Sequence, residues 1–243
     1  MVSNNSNDFP CQVIAVVPAA GAGLRMGEKK AKQFLNLVGK PILANTLSCF
    51  QQCDLVDRVI AVVPEEYIDY CKKEIIDRHE LSKVFKVIAG GKKRQDSVRK
   101  GVEHIAGCCK WVLIHDGVRP LVTENLIRKV IETAGSDRAV ITGIPVQDTV
   151  KRADNSGKVQ ETIERNGLWL IQTPQVFRWE DINLAHKNAI AKGWDNATDD
   201  AFLVEKAGIS VKIIDGEEFN IKITTPHDLD LARFLISKHD LQV

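Results

Sequence analysis

Five short apolar runs set the architecture of this chain: Val13–Val17, Arg58–Val63, Val84–Ile88, Trp111–His115 and Ala139–Ile144. Runs so short and so continuously apolar have no polar face to turn toward water, so they belong in a sheet covered on both sides. Pro18 and Pro64 close the first two. Between the runs lie stretches of helical spacing. Pro41 to Gln51 repeats Ile42, Leu43, Thr46, Leu47 and Phe50, Glu65 to His79 and Ser97 to Ile105 follow, and Thr123 offers an N-cap to a helix ending at Ala134. Strand followed by helix, again and again, gives right-handed βαβ units, so the expected fold class is α/β: a mostly parallel, doubly wound, Rossmann-like sheet.

One stretch breaks the rhythm. Pro145 to Ile163 is polar and carries a D-N-S-G turn at Asp154 to Gly157, which predicts an exposed β-hairpin arm inserted in the domain. A lone hairpin cannot bury both its faces, so it must pack on the domain or reach a second subunit. Val211 to Ile214 and Asn220 to Ile223 read as short closing strands, and Pro226 to Ser237 as a C-terminal helix. Residues 1–243 are expected to form a single domain, whose length supports a core without disulfides or metal. Trp111, Phe177 and Phe234 are expected in that core.

A net charge of +1 argues against nucleic-acid binding through bulk charge. The longest early uncharged stretch, Phe9 to Leu24, holds two prolines and two glycines and does not suit a membrane span. MVSNNSNDF carries no basic residue ahead of the first strand, so a cytoplasmic location is expected. The six cysteines include no C-x-x-C pair and are expected to be reduced and mostly buried.

Three clusters carry candidate chemistry. PAAGAGLRMGEKKAKQF, Pro18 to Phe34, places small residues directly after a buried strand, where backbone N–H groups can face an anion. It fails the dinucleotide pattern, because Met26 stands where the third glycine would, and the P-loop pattern, because Glu28 follows Gly27. What remains is a glycine loop with Arg25 and Lys32, cations that can neutralise a triphosphate; a tight turn with solvated cations is the plainer alternative. GGKKRQDSV, Gly90 to Val98, repeats the device, with Ser97 able to cap a helix, bond a nucleotide or do both. HDGVRP, His115 to Pro120, lies at a strand's carboxyl end, where open α/β sheets bind ligands; Asp116 and Arg119 are ligand contacts or an ion pair fixing the loop. The histidines show no H-E-x-x-H spacing, and there is no G-x-S-x-G elbow.

Together with PVQDTVKR, RNGLW, TPQVF, ATDDA and NIKIT, these clusters resemble the 2-C-methyl-D-erythritol 4-phosphate cytidylyltransferases of the non-mevalonate isoprenoid pathway, in family order from Val16 to Thr225. The resemblance implies one nucleotidyltransferase domain, a homodimer built through the arm, and transfer of CMP from CTP to a polyol phosphate with release of pyrophosphate. It makes Arg25 and Lys32 the stabilisers of the charged transition state, and Arg165 and Lys222 the residues that position the sugar phosphate. It leaves open whether Arg165 acts within its own chain or across the dimer. Pro18, Ala19, Ala20, Gly21, Gly23, Gly91, Ser97, Asp116 and Gly117 fall on the CTP side. Arg119, Thr149, Thr173 and Thr198 fall on the substrate side, which Asp116 adjoins. Magnesium is implied as the companion of the triphosphate, with no multi-carboxylate cage in the sequence to hold it. Lys92 and Lys93 depart from the family, whose members often have acidic residues there.

Ribitol 5-phosphate cytidylyltransferases share the glycine loop and the arm; PAAG at Pro18 to Gly21 and RNGLW at Arg165 to Trp169 favour the methylerythritol family. A noncatalytic nucleotide-binding domain would be expected to lose the cations that this chain keeps.

Overall fold

A computed structural model of the chain describes residues 11–21 and 31–239. In chain order, β1 (Cys11–Pro18) is followed by a 3-10 turn (Lys32–Phe34), the short strands β2 (Asn36–Leu37) and β3 (Lys40–Pro41), α1 (Ile42–Gln52) and β4 (Arg58–Val63). The expected single helix over 65–79 is instead a 3-10 turn, the brief α2 (Ile68–Tyr70) and a π turn (Cys71–Asp77). Next come β5 (Val84–Ala89), α3 (Arg94–Ile105), β6 (Cys109–Ile114), α4 (Glu124–Ala134) and β7 (Ala139–Pro145). The hairpin strands β8 (Val150–Ala153) and β9 (Val159–Ile163) precede β10 (Trp169–Arg178), α5 (Trp179–Lys192), α6 (Ala201–Lys206), β11 (Lys212–Asp215) and α7 (Pro226–His239).

Seven strands form one sheet in the order β11-β7-β10-β6-β1-β4-β5. All neighbours are parallel except β10, which runs antiparallel between β6 and β7. The α/β class with a mostly parallel, doubly wound sheet is therefore what the chain adopts. Along β1, Val13, Ala15 and Val17 join the core on one face, with residues of α1 and α4, while Ile14 and Val16 join the core on the other, with residues of α3, α5 and α6. That two-sided burial is the physical meaning of an unbroken apolar run.

Periodicity did not reveal β10, α5 or α6. A Thr-Pro pair inside β10 lowers its strand signal, and the register shifts between Gln172 and Gln175. The six residues of α6 are too few to show a period. Asn220 to Ile223 is not a strand. Its groups bond irregularly instead: Asn220 Nδ2 donates to Thr173 O at 2.7 Å, and Ile223 N donates to Val118 O at 2.9 Å. Phe234 is 56% exposed on α7 and is not a core residue, whereas Trp111 and Phe177 are buried. The six cysteines are free thiols, four of them buried.

The hairpin pairs only with itself among the described residues, and Lys151 to Thr162 is exposed throughout. Its turn is the expected one: Asp154 Oδ1 accepts from Ser156 N and Lys158 N, and Gly157 takes a φ of +81°.

Candidate active site

The order of strands reverses between β1 and β6, so the loops leaving their carboxyl ends diverge and open a crevice. Two adjoining clefts occupy it. The first spans about 580 Å³ and the second about 1090 Å³, both open to solvent, and they share Arg94, Asp116 and Lys222.

The floor of the first cleft is the backbone after β1, from Pro18 to Gly21. Close packing fixes it. A Cβ on Gly90 would lie 2.2 Å from Ala20 Cβ, and one on Gly117 would lie 2.8 Å from Ala19 Cβ, so both neighbouring loops need glycine there. Gly117 backs the cleft, its N–H donating to Pro18 O at 3.0 Å. Gly91, Ser97, Lys32, Asp116 and Lys222 complete the expected residues on this lining. Ser97 does not cap α3, which starts at Arg94. Its hydroxyl accepts from Gly91 N at 3.0 Å and donates to Lys93 O at 3.2 Å, bracing the glycine loop. Lys32 Nζ donates to Ile223 O at 3.2 Å, which places it beside the segment carrying Lys222.

Arg119, Thr173 and Thr198 line the second cleft with Asp116 and Lys222. Thr149 and Arg165 do not meet them within one chain: both line a groove on the arm, where Arg165 Nη1 donates to Gln147 O. Arg25 and Gly23 lie outside the described residues.

Asp116, 6% exposed, is the hub. Its Oδ1 meets Arg94 Nε at 2.7 Å and its Oδ2 meets Lys222 Nζ at 2.7 Å, while Arg119 Nε stands back at 3.8 Å. The expected Asp116–Arg119 pair is thus the loosest of the three. Burial by itself would raise the Asp116 carboxyl, but Arg94 and Lys222 outweigh it and hold the group far below the usual carboxylate range. Arg94 also meets the buried Asp200, so three cations face two carboxylates and leave a net charge of about +1 where the clefts meet, an arrangement suited to phosphate groups.

A chain of hydrogen bonds sets the backbone of this hub. Asp116 N donates to Thr173 Oγ1 at 3.0 Å, and Thr173 Oγ1 lies 3.2 Å from His115 Nδ1. His115 Nε2 lies 3.0 Å from Arg119 O. A carbonyl can only accept, so Nε2 carries the proton and Nδ1 receives the Thr173 hydroxyl. Burial pushes the His115 imidazole down to about 4, against the opposing pull of Arg119 O. It is a neutral spacer holding the loop, not an acid–base group at pH 7.

Among the described residues no group of three metal-capable ligands lies in the clefts, and both Asp116 oxygens are taken by cations. The one group of three metal-capable ligands described, Cys53, Asp54 and Glu124, belongs to another part of the fold, where Arg128 Nη2 already reaches Asp54 at 2.5 Å and Glu124 at 2.8 Å.

The profile of the 2-C-methyl-D-erythritol 4-phosphate cytidylyltransferase family matches residues 13–238. This chain belongs to that family. It is similar to the cytidylyltransferases of that name from Alkaliphilus metalliredigens, 43% identical over 93% of this chain and 94% of the relative, and Geobacter metallireducens, 44% identical over 93% and 98%. Among solved structures, it is similar to the 4-diphosphocytidyl-2C-methyl-D-erythritol synthase of Anaerococcus prevotii, with a TM-score of 0.81 and 31% identity over 93% of this chain and 96% of that one. The cytidylyltransferase of Thermus thermophilus gives a TM-score of 0.74 and 32% identity over 91% and 98%.

Sequence reasoning about this member of the cytidylyltransferase family missed Arg94 and Asp200. Arg94 Nη1 meets Asp200 Oδ2 at 2.7 Å, tying the start of α3 to the start of α6. Both residues stood inside motifs already singled out, GGKKRQDSV and ATDDA, but nothing in their spacing joins positions 106 apart.

Proposed function

We propose that this enzyme transfers the cytidylyl group of CTP to the phosphate of 2-C-methyl-D-erythritol 4-phosphate, giving 4-diphosphocytidyl-2-C-methyl-D-erythritol and pyrophosphate. The observation that carries the reading is the cationic hub joining two clefts, one walled by glycine loops and one by threonines and amides. A phosphate oxygen of the polyol phosphate attacks the α-phosphorus; that P–O bond forms as the bond to the β-phosphate oxygen breaks. A phosphate monoester has a second pKa near ~6, so the nucleophile is already ionised and no side chain needs to remove a proton. Catalysis is then orientation and charge neutralisation.

In this reading CTP lies in the first cleft, against Pro18, Ala19, Ala20, Gly21, Gly91 and Ser97, with Arg25 and Lys32 over the triphosphate. The polyol phosphate lies in the second, met by Lys222, Arg119, Thr173 and Thr198. Arg165 and Thr149 are supplied by the arm of a second copy in a homodimer, because their own chain keeps them on a separate groove. Magnesium would enter as the complex of CTP and supply charge neutralisation at the triphosphate, beside Lys32 and without a protein cage. The enzyme acts in the cytoplasm on small phosphates, without nucleic-acid or membrane partners; separately, no helix described is long and apolar enough to cross a membrane.

The test is pyrophosphate release with CTP and Mg²⁺, run in parallel on 2-C-methyl-D-erythritol 4-phosphate and ribitol 5-phosphate. Release with the first alone is expected. Release with ribitol 5-phosphate alone overturns the substrate, and release with neither overturns the reaction.

A further inference from the structure

Three consecutive residues fasten the glycine-loop side of the crevice to the wall of the second cleft. Lys93 Nζ meets Asp195 Oδ2 at 2.9 Å, Arg94 meets Asp200 at 2.7 Å, and Gln95 donates to Trp194 O at 2.6 Å while accepting from Ala197 N at 3.3 Å. Of the three, only Arg94 also reaches Asp116, and it lines both clefts. Its two carboxylate partners are 6% and 1% exposed, so neither can be satisfied by water if the guanidinium leaves.

Asp116 has a fixed amount of charge to share. With Arg94 on Oδ1, only Oδ2 is left for Lys222. Without Arg94, both oxygens would turn to Lys222 and Arg119, and the cations facing the second cleft would spend their charge on an internal carboxylate. An Arg fork bonds two carboxylates at once from fixed, planar directions, whereas a lysine's donors rotate about a single compact charge.

We infer that Arg94 is a positioning residue for the polyol-phosphate subsite: bridging Asp116 and Asp200, it keeps Lys222 available to the incoming phosphate and holds the Thr198 wall in register with the nucleotide loop. This rests on the cytidylyl-transfer reading for its substrate and on the geometry for its mechanism.

The test uses the full chain and two variants, Arg94→Lys and the pair Arg94→Met/Asp200→Asn, the latter removing the carboxylate that a lone change would strand. Both should melt cooperatively, and in both the KM for the polyol phosphate should rise about tenfold, within the range of couplings seen between contacting residues. The KM for CTP should move less than about threefold. In a Lys222→Ala background the same changes should add less than about threefold, because Arg94 acts through Lys222. Equal losses in both backgrounds, or a rise confined to CTP, would overturn the inference. The Kd of inorganic phosphate, measured by calorimetry for wild type and for each variant in both backgrounds, reads the coupling without turnover. A wild-type chain that bound phosphate with the expected coupling but released no pyrophosphate would reject the reaction while upholding Arg94; an uncoupled Kd in an active enzyme would do the reverse.

Discussion

The hub at the end of β6 and the hairpin of β8 and β9 are both rich in charge, yet they use it in opposite ways. Around Asp116 the carboxylates are buried, both Asp116 oxygens have assigned partners, and cations outnumber carboxylates where the clefts meet. On the hairpin, Arg152 and Glu161 pair at 2.7 Å with side chains 64% and 53% exposed, where water and salt screen them. In the proposed reaction the excess positive charge at the hub faces the phosphates. Charge on the arm lies exposed along a thin two-stranded ribbon, and its Arg165 and Thr149 line a groove apart from the clefts.

The sharpest way to break this contrast is at the hub. Lys32→Ala and Lys222→Ala should each lower kcat by about ten- to a thousandfold with the fold intact, on the scale of losing one preorganised charge; near-normal turnover in both would deny the hub its role. The arm is sharpened by mixing. Arg165→Ala and Lys222→Ala are each expected to retain about a tenth of wild-type activity or less, but if arms are exchanged across a two-fold axis, an equimolar mixture should rise to about a quarter of the wild-type activity through hybrid dimers. No recovery would place Arg165 in its own chain's site, or outside any site.

Acid should separate the regions as well. His115 is held neutral with a pKa of about 4, below the unfolded value of about 6.5, so between these limits the unfolded chain binds a proton that the folded one refuses. Its contribution to stability is complete above about pH 6.5 and falls by about 3 kcal/mol as the pH drops to about 4. His186, also lowered by burial, acts in the same direction. Denaturant titrations of His115→Gln should show a shallower fall than wild type, and an unchanged slope would reject the assignment. Smallest of all, Arg152→Ala on the hairpin should change stability by less than about 0.5 kcal/mol; a larger loss in the same titration would mean the arm is docked on something that makes that pair matter.

Much of the site could be read in the sequence because its pieces are local. Pro18 to Gly21 follows an unmistakable buried strand, and HDGVRP ends another. The hairpin announced itself by its turn. Lys32 came from the glycine loop and Lys222 from the family resemblance, and their nearness to each other through Ile223 is a product of folding. Ser97 was placed at the right loop, but of its two possible tasks the cap is excluded, since a hydroxyl near a helix start looks like a cap until the helix is seen to begin three residues earlier. Phe234 was misplaced because an aromatic residue in a helix does not state which way the helix faces.

By itself the sequence determined the alternation of strand and helix, the glycine loops, the hairpin and the family, all of which rest on periodicity and on short runs whose backbone geometry is set by neighbours along the chain. Tertiary structure alone decided that β10 slips antiparallel between β6 and β7, that residues 220–223 stay irregular to deliver Lys222, and that Arg94 links Asp116 to Asp200. Those outcomes depend on which buried polar groups must find partners once distant segments are pressed together, and that requirement exists only after the core has closed.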